Sequence, residues 1–375
     1  MEVEEINEFE PLRDCWNAIL GKSVIEDNIF LTWEWLSTWW KYFGEGRRLL
    51  LLTVREKDEI LAIAPLMFSQ YKLLKFGNIR RIEFIGCPHS DYHNFIMVKK
   101  ERECLKTLLD YLTKNVEKWN WIELREIEGS TPTVNLLYEL SSEISPIFTV
   151  SERICNICPY IPLPTSFDIL LKKLTKNTRQ NINKYLRRIN RDYNNVTFKR
   201  YDETGFSIKE AMGIFIKLHQ KRWNNRGFPG AFADRKFHDF HMEIADLFAE
   251  RGWLGLYFLM VNDEPISTQY TFEYKLKSYY YLAGFDPDFS DYSVGNLTTM
   301  FILKECIRRG FREYDMMRGD ELYKMMWTKN CRKNYEVGIL RKDLYSRLLN
   351  WSTSAKALNK LAEKFGISLK ISYTT

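Results

Sequence analysis

Apolar and polar positions follow helical and strand rhythms along this chain, and the two rhythms come in the same order twice. In FLTWEWLSTWWKYFG, Phe30, Trp33, Leu36, Trp39, Trp40 and Phe43 recur at spacings of three and four, which predicts an amphipathic helix closed near Gly44. RRLLLLTV and ILAIAPLMF, joined by the polar REKDE, predict a β-hairpin, and RIEFIG a third strand. The loop CPHSDYHN and the segment FIMV follow, then a helix over about 101–116 and the strand WNWIELREI. The second half runs alike. Helices over about 209–223 and 237–251 precede the strands GWLGLYFLMV, PISTQYTFEY and KSYYYLAGF. A helix over about 294–309, the strand REYDMM, a short helix over 321–327 and the strand YEVGIL complete it. The halves share the order of elements more than their residues. Between them, Pro159, Pro162 and Pro164 mark a boundary. One long basic helix, FDILLKKLTKNTRQNINKYLRRINRDY, is expected next, with an apolar stripe through Ile169, Leu174, Ile182 and Ile189.

Composition sharpens this picture in a few places. A chain of 375 residues that is 45% apolar can bury more than one core, so two domains are expected. The 55 basic residues against 49 acidic ones leave a formal charge of +6, too mild to indicate nucleic acid by itself. MEVEEINEFEPLRD lacks the basic and apolar segments of a secretory signal, and LLLLTV is too short to span a bilayer, so no stable membrane insertion is expected. Seven scattered cysteines suit a reducing compartment, and a cytoplasmic location is expected. The single CxxC of Cys155 and Cys158 has no second pair to make a zinc site. His238 and His241 lack an evident third ligand, so no metal is expected. No GxSxG, HExxH or GxxxxGK[ST] occurs, which removes the motif support for a serine hydrolase, a zincin or a P-loop enzyme.

Two stretches carry candidate chemistry. In Ser278–Gly310 an apolar strand ends at Phe285, and Ser293 is a candidate N-cap for the next helix. Unpaired N–H groups and the positive dipole end of its first turn would receive phosphate, with Gly295 allowing close approach. In YDMMRGDELYKMMW, Tyr314–Trp327, an apolar run ends in a cluster of Asp315, Arg318, Asp320, Glu321 and Lys324. Separately, His219, Arg222 and Trp223 share one helix face, and a histidine is a natural general base. His89 and His93 flank Asp91 in a loop suited to acceptor contacts or plain hydrogen bonding.

The order of meander, strand, glycine-bearing turn, helix and strand resembles the GNAT acyltransferase fold. The chain as a whole is similar to the CelD/BcsL-type acetyltransferases, relatives of the FemAB aminoacyl transferases. LTWEWLSTWWKYFG, AIAPLM, Ser90-Asp91-Tyr92, LHQKRW, YLAGFDPDFSDYSVGNL and YDMMRGDELYKMMW carry the likeness. It implies an α/β (α+β) fold of tandem GNAT-like domains, each a mixed, mainly antiparallel sheet flanked by helices. The expected division is 1–160 for acceptor shaping, 161–345 for the donor site and 346–375 as a helical tail.

The resemblance implies acyl transfer from acyl-CoA, typically acetyl-CoA, to an amine or hydroxyl of a carbohydrate or cell-envelope precursor. Ser293, Val294, Gly295 and Asn296 would hold the pyrophosphate of the donor. Such a reaction needs a base and stabilisation of a developing oxyanion. Asp315 or Asp320 is expected as base with His219 as a second candidate, and Lys324 as the transition-state cation. Arg318, Arg222, Trp223, Asp91, Tyr92 and Glu321 are expected to contact the acceptor. Two rivals keep the fold: an aminoacyl-tRNA donor held by the basic helix at 172–191, and a non-catalytic scaffold in polysaccharide synthesis.

Overall fold

The computed structural model describes residues 1–73, 77–114, 119–143 and 148–342. The expected helix end at Val116 and the tail over 346–375 lie outside the described residues. The strands are β1 (Glu2–Ile6), β2 (Arg48–Glu56), β3 (Glu59–Leu73), β4 (Gly77–Phe84), β5 (Ile96–Met97), β6 (Trp121–Glu128), β7 (Phe148–Pro162), β8 (Val196–Arg200), β9 (Leu254–Val261), β10 (Glu264–Tyr274), β11 (Lys277–Phe285), β12 (Glu313–Asp315) and β13 (Cys331–Arg341). The helices are α1 (Arg13–Leu20), α2 (Trp33–Phe43), α3 (Glu101–Lys114), α4 (Thr133–Glu143), α5 (Phe167–Lys173), α6 (Lys176–Asp192), α7 (Ile208–Asn224), α8 (Arg235–Glu250), α9 (Val294–Arg308) and α10 (Leu322–Met325).

These strands form one mixed sheet in the order β1-β2-β3-β4-β6-β13-β7-β12-β11-β10-β9-β8, with β5 on β3. The repeated order of elements is visible in it. The meander β2-β3-β4 and helix α3 lead to β6, which lies parallel to β4. The meander β9-β10-β11 and helix α9 lead to β12, parallel to β11. The other strand pairings are antiparallel. The halves then exchange strands: β7 runs on from the first half to pair with β12, and β13 returns to pair with β6. β7 and β13 also pair with each other, so the centre of the sheet belongs to both halves.

A shared aromatic core reinforces that junction. Thr32 caps α2 by accepting from the Trp35 amide, and α2 lays Trp35 and Phe43 against α8 of the other half. Trp35 stacks on Phe248 and meets Phe240 and Phe272 edge to face, all fully buried, so truncating it would cost about 3–5 kcal/mol.

Several expectations need revision. The single basic helix is broken at Leu174, because Thr175 starts a new N-cap and the Arg179 guanidinium takes up the carbonyls of Leu171, Lys172 and Leu174. REYDMM forms a strand only over Glu313–Asp315. The proline-marked boundary between 160 and 161 falls inside β7, where Pro159 and Pro162 occupy ladder positions opposite Cys331 and Glu313. Read as breakers, those prolines hid a fifteen-residue strand.

Candidate active site

The parallel ladder of β11 and β12 is short. It joins Lys277–Tyr279 to Glu313–Asp315 and goes no further. From Tyr280 onward β11 has no strand on that side, and the chain after Asp315 turns away through Met317, whose φ is +63°. Asp315 makes the turn. Its fully buried carboxylate accepts from the Met317 amide at 2.8 Å and from the Tyr92 hydroxyl at 2.9 and 3.1 Å. Arg332 lies 3.3 Å away and Lys277 3.5 Å. Burial pushes the Asp315 carboxyl upward, and the two cations oppose it.

This placement corrects the expectation of Asp315 as a base facing the cleft, since it borders neither cavity described below and all its acceptor sites are occupied. Tyr92, expected on the acceptor, is spent on Asp315. Asp320 is exposed and borders neither cavity.

Where the strands part there are two adjoining cavities. The smaller, about 210 Å³, is the corner between the end of β11 and the start of α9. Ser293, Val294, Gly295 and Asn296 all line it. Ser293 sits at the N-cap position in a left-handed conformation, φ 51° and ψ 42°, and its side chain does not cap; its hydroxyl accepts from the side-chain Nδ2 of Asn296 instead at 2.9 Å. The Ser293 carbonyl takes the Asn296 and Leu297 N–H groups, leaving those of Val294 and Gly295 without a backbone partner. A Cβ on Gly295 would meet only Phe285, at 3.9 Å.

The larger cavity, about 600 Å³, shares Arg222, Arg226, Tyr280, Ala283 and Tyr323 with the corner. His219 lies in its wall, 2% exposed. Its Nδ1–H donates to the Ala283 carbonyl at 3.0 Å, which fixes the lone pair on Nε2, and Nε2 has no partner. Burial lowers its pKa to about 4, so the ring is neutral at physiological pH.

The position of His219 depends on Gly284. A Cβ there would overlap the backbone of Leu218 and His219, so α7 lies directly on β11. Gly284→Ala is expected to cost about 1–3 kcal/mol and to lower any turnover by displacing His219, as a denaturation curve with paired rates would show.

Lys324 lines the same chamber and is 5% exposed. Its Nζ donates to the Arg318 carbonyl at 2.6 Å and pairs with Glu321 at 3.0 Å, leaving one N–H. Arg318 is not free to grip an acceptor as expected. Its amide and its Nε both go to Asp91 at 3.0 Å, and Nη2 donates to the Pro88 carbonyl at 2.8 Å. The structure therefore brings His219, Arg222, Trp223, Asp91, Arg318, Glu321 and Lys324 to one chamber and leaves Asp315, Tyr92 and Asp320 outside it. His89 also lines it, with Nδ1 accepting from Trp39 at 2.9 Å, while His93 is buried elsewhere on the Arg125 carbonyl.

Sequence reading missed Arg226, Tyr280, Tyr323 and Gly284. Two arginines flanking a tryptophan in RWNNR was the signal for the first; the tyrosines are hidden in aromatic-rich runs. His238 bonds Asp239 at the surface, whereas His241 is buried among rings. Among the described residues no group of three His, Cys, Asp or Glu side chains is placed to hold a metal, and no helix is long and apolar enough to cross a membrane.

Comparison with known proteins agrees with this geometry. Residues 176–325 match the model of the acetyltransferase (GNAT) domain. The solved structure of FemX superposes with a TM-score of 0.63 at 16% identity, over 92% of this chain and 99% of that one. A conserved protein of unknown function from Bacteroides thetaiotaomicron gives 0.55 at 12% identity, over 90% and 100%. The C-terminal domain of a putative lysylphosphatidylglycerol synthetase from Agrobacterium fabrum gives 0.53 at 9% identity, over 92% and 96%. At these identities the likeness is one of fold. No curated protein matches the chain. The parted strands and the amide-lined corner agree with the match of residues 176–325 to the acetyltransferase (GNAT) domain, which supports an acyltransferase.

Proposed function

We propose that the protein transfers an acyl group from acyl-CoA to an amine or hydroxyl by direct attack on the thioester, with both substrates bound. The joining of the two cavities where β11 and β12 part carries this reading. In it, the Val294 and Gly295 amides receive the donor phosphates, and the donor arm runs along the open edge of β11 past Tyr280. The free N–H of Lys324 faces the carbonyl oxygen as it gains charge.

His219 replaces Asp315 as base in this scheme. The acceptor heteroatom bonds to the thioester carbon, its proton passes to Nε2, and as the C–S bond breaks the leaving thiolate takes that proton from the His219 imidazolium, which returns to its neutral form. An amine that has attacked a carbonyl is a far stronger acid than a free one, so a histidine of low basicity serves. Asp315 positions the strand end. Residues before 161 contribute His89 and Asp91 to the chamber and none to the corner, which supports acceptor shaping by the first half and donor binding by the second, although β7 runs through that point of the chain.

A cytoplasmic member of the CelD/BcsL type, acting on a polysaccharide or cell-envelope precursor, is the setting this reading favours, and seven unpaired cysteines support a reducing compartment.

A second reading takes aminoacyl-tRNA as donor, as in the FemAB transferases that the sequence resembles. The likeness to FemX favours it, as do Lys172, Lys173, Lys176, Lys184 and Arg187, which form no ion pair among the described residues. Titration with acetyl-CoA and with aminoacyl-tRNA at two salt concentrations separates them. Heat from acetyl-CoA alone supports the first; salt-sensitive tRNA binding with no response to acetyl-CoA replaces it with the second.

A further inference from the structure

Four cations and two carboxylates line the larger chamber, and the carboxylates are already taken. Asp91 is held by Arg318, and Glu321 by Lys324. That leaves Arg222 and Arg226. Among the described residues neither forms an ion pair or donates a side-chain hydrogen bond, and Nε of Arg222 is buried without an acceptor. Rings hold them in place of acids. Arg222 lies 4.9 Å from the centre of Phe285 and 5.9 Å from that of Trp223, and Arg226 lies 6.0 Å from Trp223. Two like charges beside one indole, in a chamber where the remaining charges cancel, form a site that an anion completes.

The chamber holds a third unpartnered polar group, Nε2 of His219, itself 2% exposed. These groups specify what a ligand must bring: a negative charge for the arginines and an N–H or O–H for the imidazole. A neutral sugar brings only the second. Resting on the acyl-transfer reading above, we propose that the acceptor is an anionic compound, an amine or hydroxyl that also bears a carboxylate or phosphate, anchored through Arg222 and Arg226. Both arginines also border the donor corner, so the donor's own phosphates are the other source of the same chemistry.

Matched acceptor pairs that differ only in the anion test this: glucosamine against glucosamine 6-phosphate, and ethanolamine against phosphoethanolamine, each with acetyl-CoA. The anionic member is expected to have the higher kcat/KM by about tenfold or more, the value of one charge-assisted contact. In Arg226→Gln and in Arg222→Gln/Arg226→Gln the ratio should fall towards one, with acetyl-CoA KM unchanged within about twofold. A wild-type ratio near one overturns the proposal. So does a rise in acetyl-CoA KM in the variants with the acceptor ratio preserved, which gives the arginines to the donor. If acetyl-CoA supports no turnover, the acyl-transfer reading is what has failed, and calorimetry with inorganic phosphate still decides the subsite. Binding lost in the double variant supports it, and equal or absent binding in the wild type overturns it.

Discussion

Replacing His219 by glutamine is expected to lower kcat by about 10²–10⁴-fold while acetyl-CoA affinity stays within about twofold. The ring meets the donor corner only at the Ala283 carbonyl and touches neither the Val294 nor the Gly295 amide, so its replacement leaves the phosphate-receiving groups in place. Its Nε2 is a buried imidazole nitrogen without a partner, with the tautomer set by Ala283. The pH profile gives an independent reading of the same group. Burial holds His219 near pKa 4, below the ordinary 6.5, and protonation removes the lone pair that the reaction needs. With an acceptor that does not itself titrate there, kcat/KM should therefore stay level as pH falls from 7 to about 5 and drop only towards 4. A drop centred near 6.5 would assign the step to an exposed histidine, and a profile unchanged in the variant would remove His219 from the chemistry.

Replacing Asp315 by alanine should cost about 3–5 kcal/mol of stability, the range seen when one partner of a buried ion pair is removed. Lys277 would keep Glu313 at 3.2 Å and Asp27 at 3.8 Å, and Arg332 would keep Glu313 and Glu128, but both cations would lose the one fully buried carboxylate they share. The Tyr92 hydroxyl and the Met317 amide would lose their acceptor. Asp315→Asn keeps the shape and should cost less. Urea unfolding measures both. A general base would behave in the opposite way, with turnover lost by orders of magnitude in Asp315→Asn and stability unchanged.

The contrast between these two residues shows what the sequence made legible. Local rhythm identified the two meanders, α7, α9 and the turn before α9, because amphipathic spacing and capping are written within a few residues. The helix start at Ser293–Asn296 was legible for that reason, although the Ser293 side chain does not cap it. Asp315 read as a cleft acid because it stands where a strand ends. Its burial comes from Tyr92, 223 positions away, and from Arg332, and no local pattern announces such partners. Arg318 was misread likewise, since Asp91 reaches it from the other half across 227 positions. β7 was lost because its prolines lie in a strand whose neighbours, β12 and β13, come late in the chain. His219 was visible as a candidate, but Gly284 and the Ala283 carbonyl set its position and tautomer through the packing of α7 on β11.

The central claim is that the donor's phosphates sit in the corner between β11 and α9, and Gly295→Asp tests it most directly. The new side chain would point into open space at the helix start, where a carboxylate suits the dipole, so the melting temperature should move by no more than about 2 °C. Calorimetry of the wild type should show one acetyl-CoA per chain with affinity of about micromolar order. The variant should lose at least about 100-fold of it through charge repulsion and filled volume. Equal affinity in the two proteins, with the fold intact, would contradict the account.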